Sequence, residues 1–303
     1  MDEETQVRQV REFNRAVTRR IGALDDDYLG RGRPLAVSRL LFEIGREGAD
    51  VAALRTRLSL DSGYLSRMLR VLEGEGLVAV SPTPGDARKR RAALTRKGLR
   101  EFAALDARSE RFAASVLAPL GAARRQRLVE AMAEVERCLR ASAVRIACAD
   151  PASAEARACV DAYLREIAAR FEGGFDPSRG PTAEPGELVP PKGAFLLARL
   201  DGEAVGCGAI KVLARGVGEI KRMWVAPAAR GLGIAQRLLE ALEAQAAALG
   251  LSTLRLDTQR SLVEARALYE RNGYREIPRY NDNPYADYWF EKQTRLRPSR
   301  LAR

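Results

Sequence analysis

The chain has 303 residues, a formal net charge of +11, and 46% hydrophobic and 30% charged residues. This composition excludes an intrinsically disordered chain and favours a globular protein of about two domains. The excess of lysine and arginine favours an anionic partner, such as nucleic acid or a phosphorylated cofactor. Because the four cysteines are scattered and histidine is absent, we expect neither a metal site nor a disulfide framework.

The sequence also lacks membrane and export signals. No apolar run approaches the roughly 20 residues that a membrane-spanning helix needs. The chain starts with the acidic run Met1-Asp2-Glu3-Glu4, which is unlike a signal peptide. We therefore expect a cytoplasmic protein with no membrane partner.

Hydrophobic periodicity and turn residues predict the elements of the first half in chain order. A first helix is predicted over 10–29 and a second over 37–47. Asp50 and Asp61 have the position of N-caps, which predicts two further helices at a helix-turn-helix spacing. These helices are predicted at 51–58 and 62–75, the strands of a hairpin at 77–80 and 92–94, and two long helices at 95–117 and 122–142.

The predicted helix 62–75 has an apolar face formed by Leu65, Leu69 and Leu72 and a polar outer face. Hydroxyl groups and arginines bind phosphate oxygens and guanine edges in the major groove of DNA, and a basic hairpin tip would reach the backbone or the minor groove. The alternative is an ordinary helical subdomain with a solvated basic loop. The candidate DNA-binding residues are Ser62, Tyr64, Ser66, Arg67 and Arg70 on the helix, and Arg88, Lys89 and Arg90 on the hairpin.

Several spaced motifs extend this pattern along the first half. They are Leu54-Arg55-x-x-Leu58, Ser62-Gly63-Tyr64-Leu65-Ser66-Arg67-x-Leu69-x-x-Leu72, Gly76-Leu77-Val78, Asp86-x-Arg88 and Leu94-Thr95-x-x-Gly98. From about residue 10 to 142 the chain resembles MarR-family winged-helix regulators. The resemblance implies a homodimer built by the terminal helices, with two recognition helices about one DNA turn (~34 Å) apart on palindromic double-stranded DNA. It also implies that Asp86 holds Arg88 for insertion into the minor groove.

The second half alternates strands with helices and contains a long loop rich in glycine and proline, 173–193, which favours a binding role for that loop. We place the domain boundary at residue 143, which gives domains of 1–143 and 144–303. Strands are predicted at 144–149, 194–200, 204–213, 218–225 and 253–257 and near Tyr274 and Tyr288, and helices at 151–170, 231–249 and 262–272.

A glycine-containing turn, Arg230-Gly231-Leu232-Gly233-Ile234-Ala235, joins a predicted strand to a predicted helix. Glycines let the backbone approach a ligand, and the free amides of a first helical turn bind anions such as a diphosphate. A glycine pair is equally compatible with a tight turn alone. The turn is not G-x-G-x-x-G and lacks a suitably placed acidic residue, so a nicotinamide cofactor is disfavoured.

Two motifs narrow this interpretation: Arg230-x-x-Gly233-x-Ala235, and further along the chain Ala267-Leu268-Tyr269-Glu270-Arg271-Asn272-Gly273-Tyr274. Over residues 144–295 the chain resembles the GNAT N-acetyltransferases. The resemblance implies acetyl-CoA as acetyl donor and a primary amine as acceptor, with Tyr269 protonating the departing thiolate; the alternative for Tyr269 is an aromatic ring that packs its helix. The cofactor-binding residues that it implies are Met223 and Val225 for the pantetheine, and Arg230, Gly231, Leu232, Gly233, Ile234 and Ala235 for the pyrophosphate.

Together the two resemblances predict a two-domain fold. The N-terminal domain is expected to be an all-α/winged-helix (α+β) domain. The C-terminal domain is expected to have the α/β GNAT fold, with a mixed, mainly antiparallel sheet.

Attack on a thioester needs a neutral amine, so some group must accept a proton. Without histidine, we expect a carboxylate that acts directly or through water. Glu219 begins a predicted strand at a position where many GNAT proteins place such a glutamate. It is equally compatible with a strand-end charge paired with Lys221 or Arg222.

The acetyl acceptor is expected to be a small amine or an amino acid, because Arg222 is placed to pair with an acceptor carboxylate; a protein lysine stays open. The predicted acceptor residues are Arg222, Phe175, Tyr280 and Tyr285. The aromatic stretch 280–290 that supplies two of them is equally compatible with a well-packed hairpin.

Three functions are compatible with the sequence. The favoured one is a bifunctional protein that binds DNA and acetylates a small amine. The second is a transcription factor whose GNAT half only senses acetyl-CoA or another ligand. The third is an acetyltransferase whose winged helix serves only for dimerisation.

Overall fold

The computed structural model of the chain divides into two compact units, Met1–Glu130 and Ala131–Arg303. Each unit has its own buried hydrophobic core. The structure describes residues 1–83, 86–171, 174–176, 179–180 and 183–294, with the backbone alone at 86–88.

The first unit is mainly helical and carries a small sheet. Its strands form an antiparallel sheet in the order β1–β3–β2. Its helices are α1 (Glu3–Arg20), α2 (Leu35–Ile44), α3 (Val51–Arg57), α4 (Ser62–Gly74), α5 (Arg96–Leu117) and α6 (Ala122–Ala143), which continues into the second unit, and its strands are β1 (Ala49–Asp50), β2 (Val78–Thr83) and β3 (Asp86–Leu94).

Side-chain caps fix the starts of the helix-turn-helix. The Oδ1 atom of Asp50 accepts a hydrogen bond from the amide of Ala52 at 2.8 Å, and the Oδ1 atom of Asp61 accepts one from the amide of Tyr64 at 2.8 Å. Each carboxylate satisfies amides that the helix cannot pair itself. The two predicted N-caps are therefore confirmed, and so is the short connection between α3 and α4.

The inner face of α4 agrees with the sequence pattern, because Leu65, Leu69 and Leu72 are all buried. They pack in one cluster with apolar residues of α2, α3 and α5 and of the sheet. Their burial leaves the polar face of α4 at the surface. The winged-helix arrangement of the first unit, helices with a hairpin sheet, is thus confirmed.

Two boundaries in the first unit were predicted wrongly. The first helix covers Glu3–Arg20 rather than 10–29: Asp2 accepts a hydrogen bond from the amide of Thr5 at 2.8 Å, and Gly22 has φ 67°. An N-terminal cap and an acidic first turn extend the helix to Glu3, before the first apolar residue of its stripe, Val7. Strand β3 also includes the basic run before residue 92, because its ladder to β2 does not require apolar side chains.

Gly98 at the start of α5 permits a close contact with β2. An ideal Cβ at this position would lie 1.9 Å from the carbonyl oxygen of Leu77. We expect Gly98→Ala to destabilise the first unit by about 3 kcal/mol, because backbone would have to move. Urea denaturation followed by circular dichroism measures this.

Gly74→Ala is the matched control for that measurement, because Gly74 is helical and a Cβ there would meet nothing within 4 Å. Alanine at an open helical position stabilises by roughly 0.5–1 kcal/mol. Equal midpoints for the two variants would contradict the steric argument.

The second unit is built on a seven-stranded sheet in the order β4-β5-β6-β7-β8-β10-β9. Every pairing is antiparallel except that of β7 with β8, so the predicted mixed, mainly antiparallel sheet is confirmed. The elements are β4 (Arg145–Cys148), α7 (Ala154–Arg170), β5 (Gly193–Leu200), β6 (Glu203–Ala214), β7 (Val217–Val225), α8 (Ile234–Ala248), β8 (Thr253–Thr258), α9 (Val263–Arg271), β9 (Arg275–Ile277) and β10 (Tyr288–Gln293).

Both faces of this sheet are covered. Alternate residues of β5 divide between two cores: Leu196 belongs to the cluster that includes Leu238 and Leu242 of α8, whereas Leu197 belongs to the cluster that includes Cys159 of α7. A strand that is buried on both sides loses the polar alternation of an exposed strand. Helices α7 and α8 thus lie on opposite faces of the sheet.

Two helices of the second unit begin later than predicted. Helix α8 begins at Ile234 rather than at residue 231, because Gly231 and Gly233 have φ 80° and 69°. Helix α7 begins at Ala154 rather than at residue 151, because Ser153 is its N-cap. Positive φ values end a right-handed helix at once.

The long predicted loop is described in part, with a 3-10 turn at Pro185–Glu187. Residues 172–173, 177–178 and 181–182 of this region lie outside the described part of the chain. A search of the described helices finds none with the length and apolarity to cross a bilayer.

Candidate functional site

Strands β7 and β8 separate from each other part-way along their length. Their parallel pairing runs from Val217 with Thr253 to Glu219 with Arg255. Beyond this point β7 stays paired with β6 and β8 stays paired with β10. The backbone groups on the facing edges are thereby released from the sheet, and a narrow ligand can lie between the strands.

A β-bulge lies on β7 at this separation. Cys207 of β6 pairs with Trp224 and Ala209 pairs with Lys221, so Arg222 and Met223 together oppose one residue of β6. Arg222 has φ 55°, which is uncommon for a residue with a side chain. Bulges of this kind redirect side chains and occur often beside functional sites.

A cavity of about 450 Å³ opens between α7, β7, β8 and α9. It is large enough for part of a cofactor together with a small acceptor. The lining includes both predicted and unpredicted polar residues. The polar ones include Arg222, Asp257, Tyr163 and Tyr269, and Met223 also lines the cavity.

The glycine turn before α8 is shaped for an anion. A Cβ added at Gly231 or Gly233 would meet nothing within 4 Å, and no side chain caps the amides of the first turn of α8. Leu232 and Ile234 are buried and anchor the turn. Free amides at a helix N-terminus attract a diphosphate, so these residues fit the group that the sequence predicts for them.

The side chain of Arg230 holds this turn in place. Its Nε atom donates to the carbonyl of Val225 at 3.1 Å, and its Nη2 atom forms an ion pair with Glu166 of α7 at 2.6 Å. The indole of Trp224 also donates to Glu166, at 2.9 Å. Burial alone would raise the pKa of Glu166, but these hydrogen bonds outweigh it and the pKa is lowered.

Tyr269 lies on α9 and lines the cavity. Its ring packs against Tyr274, with ring centroids 5.8 Å apart, and it is 6% exposed. Within the described part of the chain its hydroxyl has no hydrogen-bond partner. Burial raises the pKa of Tyr269, and the nearby Tyr163 and Asp257 raise it further, so the phenol keeps its proton.

Glu219 is enclosed by its neighbours and is not one of the described residues that line the cavity. It is 2% exposed. Its Oε1 atom accepts from the hydroxyl of Tyr280 at 2.8 Å and from Nδ2 of Asn281 at 3.1 Å, and its Oε2 atom pairs with Lys221 at 3.1 Å. This arrangement matches the predicted alternative of pairing with Lys221 and leaves no direct path from Glu219 to a bound amine.

Tyr280 was predicted to line the acceptor pocket, but its hydroxyl is directed to Glu219 instead. Burial and the neighbouring Glu219 raise the pKa of Tyr280. The structure therefore places Tyr280 beneath the cavity wall. The other predicted acceptor residues, Arg222, Phe175 and Tyr285, do line the cavity.

Asp257 is the inner carboxylate of the cavity, and sequence reasoning did not find it. It lies on β8 with its side chain 11% exposed. Its Oδ1 atom accepts from Asn283 at 2.7 Å, and its Oδ2 atom accepts from Asn281 at 2.7 Å and lies 3.7 Å from the ammonium of Lys221. The only sequence signal is a carboxylate at the end of an apolar strand that precedes the Tyr269 helix.

Sequence reasoning missed one further lining residue, Tyr163, and the grouping of Phe171 with two predicted rings. Tyr163 of α7 lines the cavity, and burial together with Asp257 raises the pKa of this tyrosine to about 12. An aromatic cluster formed by Phe171, Phe175 and Tyr285 has ring centroids 4.9 to 5.5 Å apart. Tyr163 comes from a helix whose sequence carries no motif, whereas Phe175 and Tyr285 of the cluster were predicted acceptor residues.

The first unit presents the predicted polar face of α4 to solvent. Ser62, Tyr64, Ser66, Arg67 and Arg70 are all exposed, and the guanidinium of Arg67 lies 5.6 Å from the centroid of the Tyr64 ring.

A cleft of about 240 Å³ between α3, α4 and β3 is lined by Ser62, Ser66, Lys89 and Arg90, among others. The structure thus brings two predicted helix contacts and two predicted hairpin contacts together. The third predicted hairpin contact, Arg88, has its side chain outside the described part of the chain, as does the Asp86 that was expected to hold it.

Comparison with known families agrees with both regions. Residues 161–274 match the model of the Acetyltransferase (GNAT) family, and residues 31–89 match that of the MarR family. The chain joins a MarR-family region to a GNAT-family region. The GNAT match contains the bulge, the glycine turn and Tyr269, and the MarR match contains α3 and α4.

Individual relatives match parts of the GNAT region. The chain is 48% identical over 88 residues to "IAA acetyltransferase" of Azospirillum brasilense, covering 29% of this chain and 58% of that protein. It is 36% identical over 97 residues to the uncharacterized N-acetyltransferase C1271.07c of Schizosaccharomyces pombe, covering 31% of this chain and 60% of that protein. The chain thus spans less than two thirds of either relative.

Among solved structures, an acetyltransferase of the GNAT family from Staphylococcus aureus is similar with a TM-score of 0.44 and 20% identity. The similarity covers 51% of this chain and 100% of that one. Within the described residues, no three acidic or cysteine side chains are grouped as a metal site would require.

Proposed function

We propose that the GNAT region, residues 144–303, transfers an acetyl group from acetyl-CoA to the primary amine of a small molecule or amino acid. We propose further that residues 1–143 bind double-stranded DNA as a homodimer, in a cytoplasmic protein. One observation carries the enzymatic part. The cavity where β7 and β8 separate contains both Tyr269, whose pKa is raised, and the carboxylate of Asp257.

Acetyl-CoA supplies the acetyl group as a thioester when it is bound. The facing edge of β7 at Met223 and Val225 pairs with the pantetheine, and the amides from Arg230 to Ala235 hold the pyrophosphate. The Arg230–Glu166 ion pair keeps that turn against α7. Support for these roles comes from the open space at the turn and from the end of the β7–β8 ladder.

On the acceptor side, Asp257 holds the ammonium group and accepts its proton as the nitrogen attacks. A carboxylate oxygen has two lone pairs, and one oxygen of Asp257 uses only one of them on Asn283. Asn281 and Asn283 orient the carboxylate, and Glu219 in turn holds Asn281 and Lys221. We therefore assign the base to Asp257 and a positioning role to Glu219.

On the leaving-group side, Tyr269 donates the proton that the departing thiolate needs. Its hydroxyl has no competing hydrogen bond in the described part of the chain, and its raised pKa keeps it protonated at neutral pH. General acid catalysis of this kind contributes about 10²- to 10⁴-fold to a rate.

The enzymatic proposal is tested by measuring thiol release from acetyl-CoA with a panel of small amines, amino acids and a lysine peptide. Release that depends on an added acceptor supports it. A protein that binds acetyl-CoA in calorimetry and acetylates none of the panel would instead support a sensor function. The relative named for IAA supplies one further candidate acceptor for the panel.

We expect Gly233→Ala to raise the Kd for acetyl-CoA more than about 10-fold, because the new Cβ occupies the space through which the diphosphate approaches the amides. Gly250→Ala is the control, since Gly250 at the other end of α8 has a similar φ of 73° and equally open surroundings. Both variants carry similar backbone strain. Calorimetry that finds equal Kd values for the two would contradict the assigned turn.

The DNA-binding proposal is supported by the exposed α4 face and the cleft with the hairpin. The homodimer is supported by exposed apolar stripes at helical spacing on the terminal helices. On α1 these residues are Val7, Val10, Phe13 and Val17, and on α6 they are Val129, Met132, Val135 and Leu139. Apolar stripes on long helices are the kind of surface that a partner covers.

We expect the affinity for an operator duplex to fall at least about 100-fold between about 50 and 200 mM salt, as counterions compete for the phosphates. Arg67→Ala should weaken binding about 10-fold, whereas Arg165→Ala, an exposed arginine of α7, should not. Fluorescence anisotropy measures both. A flat salt response would contradict the proposal.

A further inference from the structure

The charges inside the cavity are arranged as a separated pair. The ammonium of Lys221 is nearest to Glu219, at 3.1 Å, and is farther from Asp257, at 3.7 Å. Lys221 and Glu219 therefore largely neutralise each other. Among the other charged residues of the lining, Arg157, Asp161 and Glu184 are exposed to solvent, whereas the carboxylate of Asp257 and the guanidinium of Arg222 are partly buried and are the inner charges that a ligand meets.

Arg222 is a half-buried cation of the cavity. Its Nη2 atom donates to the carbonyl of Ala183 at 3.2 Å, and no carboxylate of the described residues forms an ion pair with it. A guanidinium has five N–H donors, so most of its capacity is unused. The bulge that gives it φ 55° also costs backbone energy. An anionic ligand group that binds Arg222 would offset both the partial burial of its charge and the backbone energy of the bulge.

The two charges both act on one phenol of the cavity. Tyr163 of α7 experiences the fields of both Asp257 and Arg222. All three line the same cavity. A ligand that touches both charges therefore needs an ammonium and a carboxylate within one small molecule.

The remainder of the cavity offers an apolar surface. The rings of Phe171, Phe175 and Tyr285 pack with centroids 4.9 to 5.5 Å apart and face the same space. Such a cluster stabilises an aromatic or branched apolar group by burial. It offers no compensation for a charged side chain.

We infer that the acetyl acceptor is an amino acid with a free carboxylate and an apolar side chain. Its ammonium binds Asp257, its carboxylate binds Arg222, and its side chain packs on the aromatic cluster. In the step, the N–C bond forms and the C–S bond breaks. The ammonium gives up two protons, the first to Asp257; Tyr269 protonates the sulfur and is reprotonated, so one net proton reaches solvent. This inference rests on the proposed acetyltransferase function.

The test compares amino acids with the amines that lack only the carboxylate, using the full chain. The pairs are leucine with isopentylamine, phenylalanine with phenylethylamine, and tryptophan with tryptamine. We expect kcat/KM for at least one amino acid to exceed that of its amine about 10- to 100-fold. Arg222→Gln should remove this preference by lowering kcat/KM for the amino acid only, and Arg157→Gln, an exposed arginine of the same cavity, should preserve it.

Equal kcat/KM within each pair, an equal loss for both members in Arg222→Gln, or turnover of a lysine peptide alone would overturn the inference. Calorimetry with the same amino acids in the presence of CoA gives a readout that does not need turnover. If an amino acid binds and Arg222→Gln abolishes this binding, the inference is supported even when no acetylation occurs. In that case only the enzymatic proposal fails. Absence of binding and of turnover for every amino acid overturns the inference while amine acetylation still supports the enzyme.

Discussion

Asp257→Asn should lower kcat/KM for the acceptor at least about 100-fold while the Kd for acetyl-CoA stays within about twofold. The amide cannot accept the proton of the attacking amine, and it removes the negative charge that holds the ammonium. Asn283 and Asn281 each donate a hydrogen bond to one oxygen of this carboxylate. In the variant an NH₂ group replaces one of these oxygens, so it faces a donor and cannot accept its hydrogen bond. Thermal denaturation and calorimetry with acetyl-CoA establish that the variant is folded.

Two variants decide whether the loss is specific to Asp257. Asp161→Asn makes the same change at an exposed carboxylate of the cavity and should alter kcat/KM little. Glu219→Gln removes the ion pair with Lys221 but leaves the inner carboxylate in place, so a smaller loss is expected. If Glu219→Gln is inactive and Asp257→Asn retains its activity, the base is Glu219, which is one of the two roles that the sequence allows for it.

The glycine turn that we propose for the cofactor could be located from the sequence because its determinants are local. The segment from Arg230 to Ala235 contains both the glycines and the first residues of α8, so consecutive residues determine a geometry that suits an anion. The fold class was predicted for the same reason. Caps such as Asp50 and Asp61 and the apolar alternation of the strands act over a few residues.

The inner carboxylate of the proposed acceptor site could not be predicted, because tertiary contacts place it there. Asp257 and Glu219 lie on neighbouring strands, and only the separation of β7 from β8 decides which carboxylate reaches the cavity. Asn281 lies in the segment before β10 and joins both carboxylates. Tyr163 and Glu166 are parts of an ordinary amphipathic helix until α7 is placed on the sheet.

Tyr269→Phe should lower kcat about 100-fold and leave the KM of the acceptor nearly unchanged, because the hydroxyl acts on the departing thiolate and not on the bound amine. The ring and its packing on Tyr274 are retained. Tyr274→Phe is the matched control: its hydroxyl donates to Glu243 at 3.1 Å, outside the cavity, and Lys292 also pairs with Glu243. This control should keep nearly full activity.

The pH profile tests the same assignment in the unaltered protein. A tyrosine whose folded pKa is raised above its ordinary value of 10 stays protonated as pH rises, so kcat should not fall between about pH 8 and pH 10 through loss of this acid. The competing acid is Tyr163, a second phenol of the cavity, whose pKa is raised to about 12. If Tyr163→Phe is inactive and Tyr269→Phe is not, the proton comes from α7. An additive loss in the double variant would show that the two phenols act independently, whereas a double variant no worse than Tyr269→Phe would show one proton path through α9.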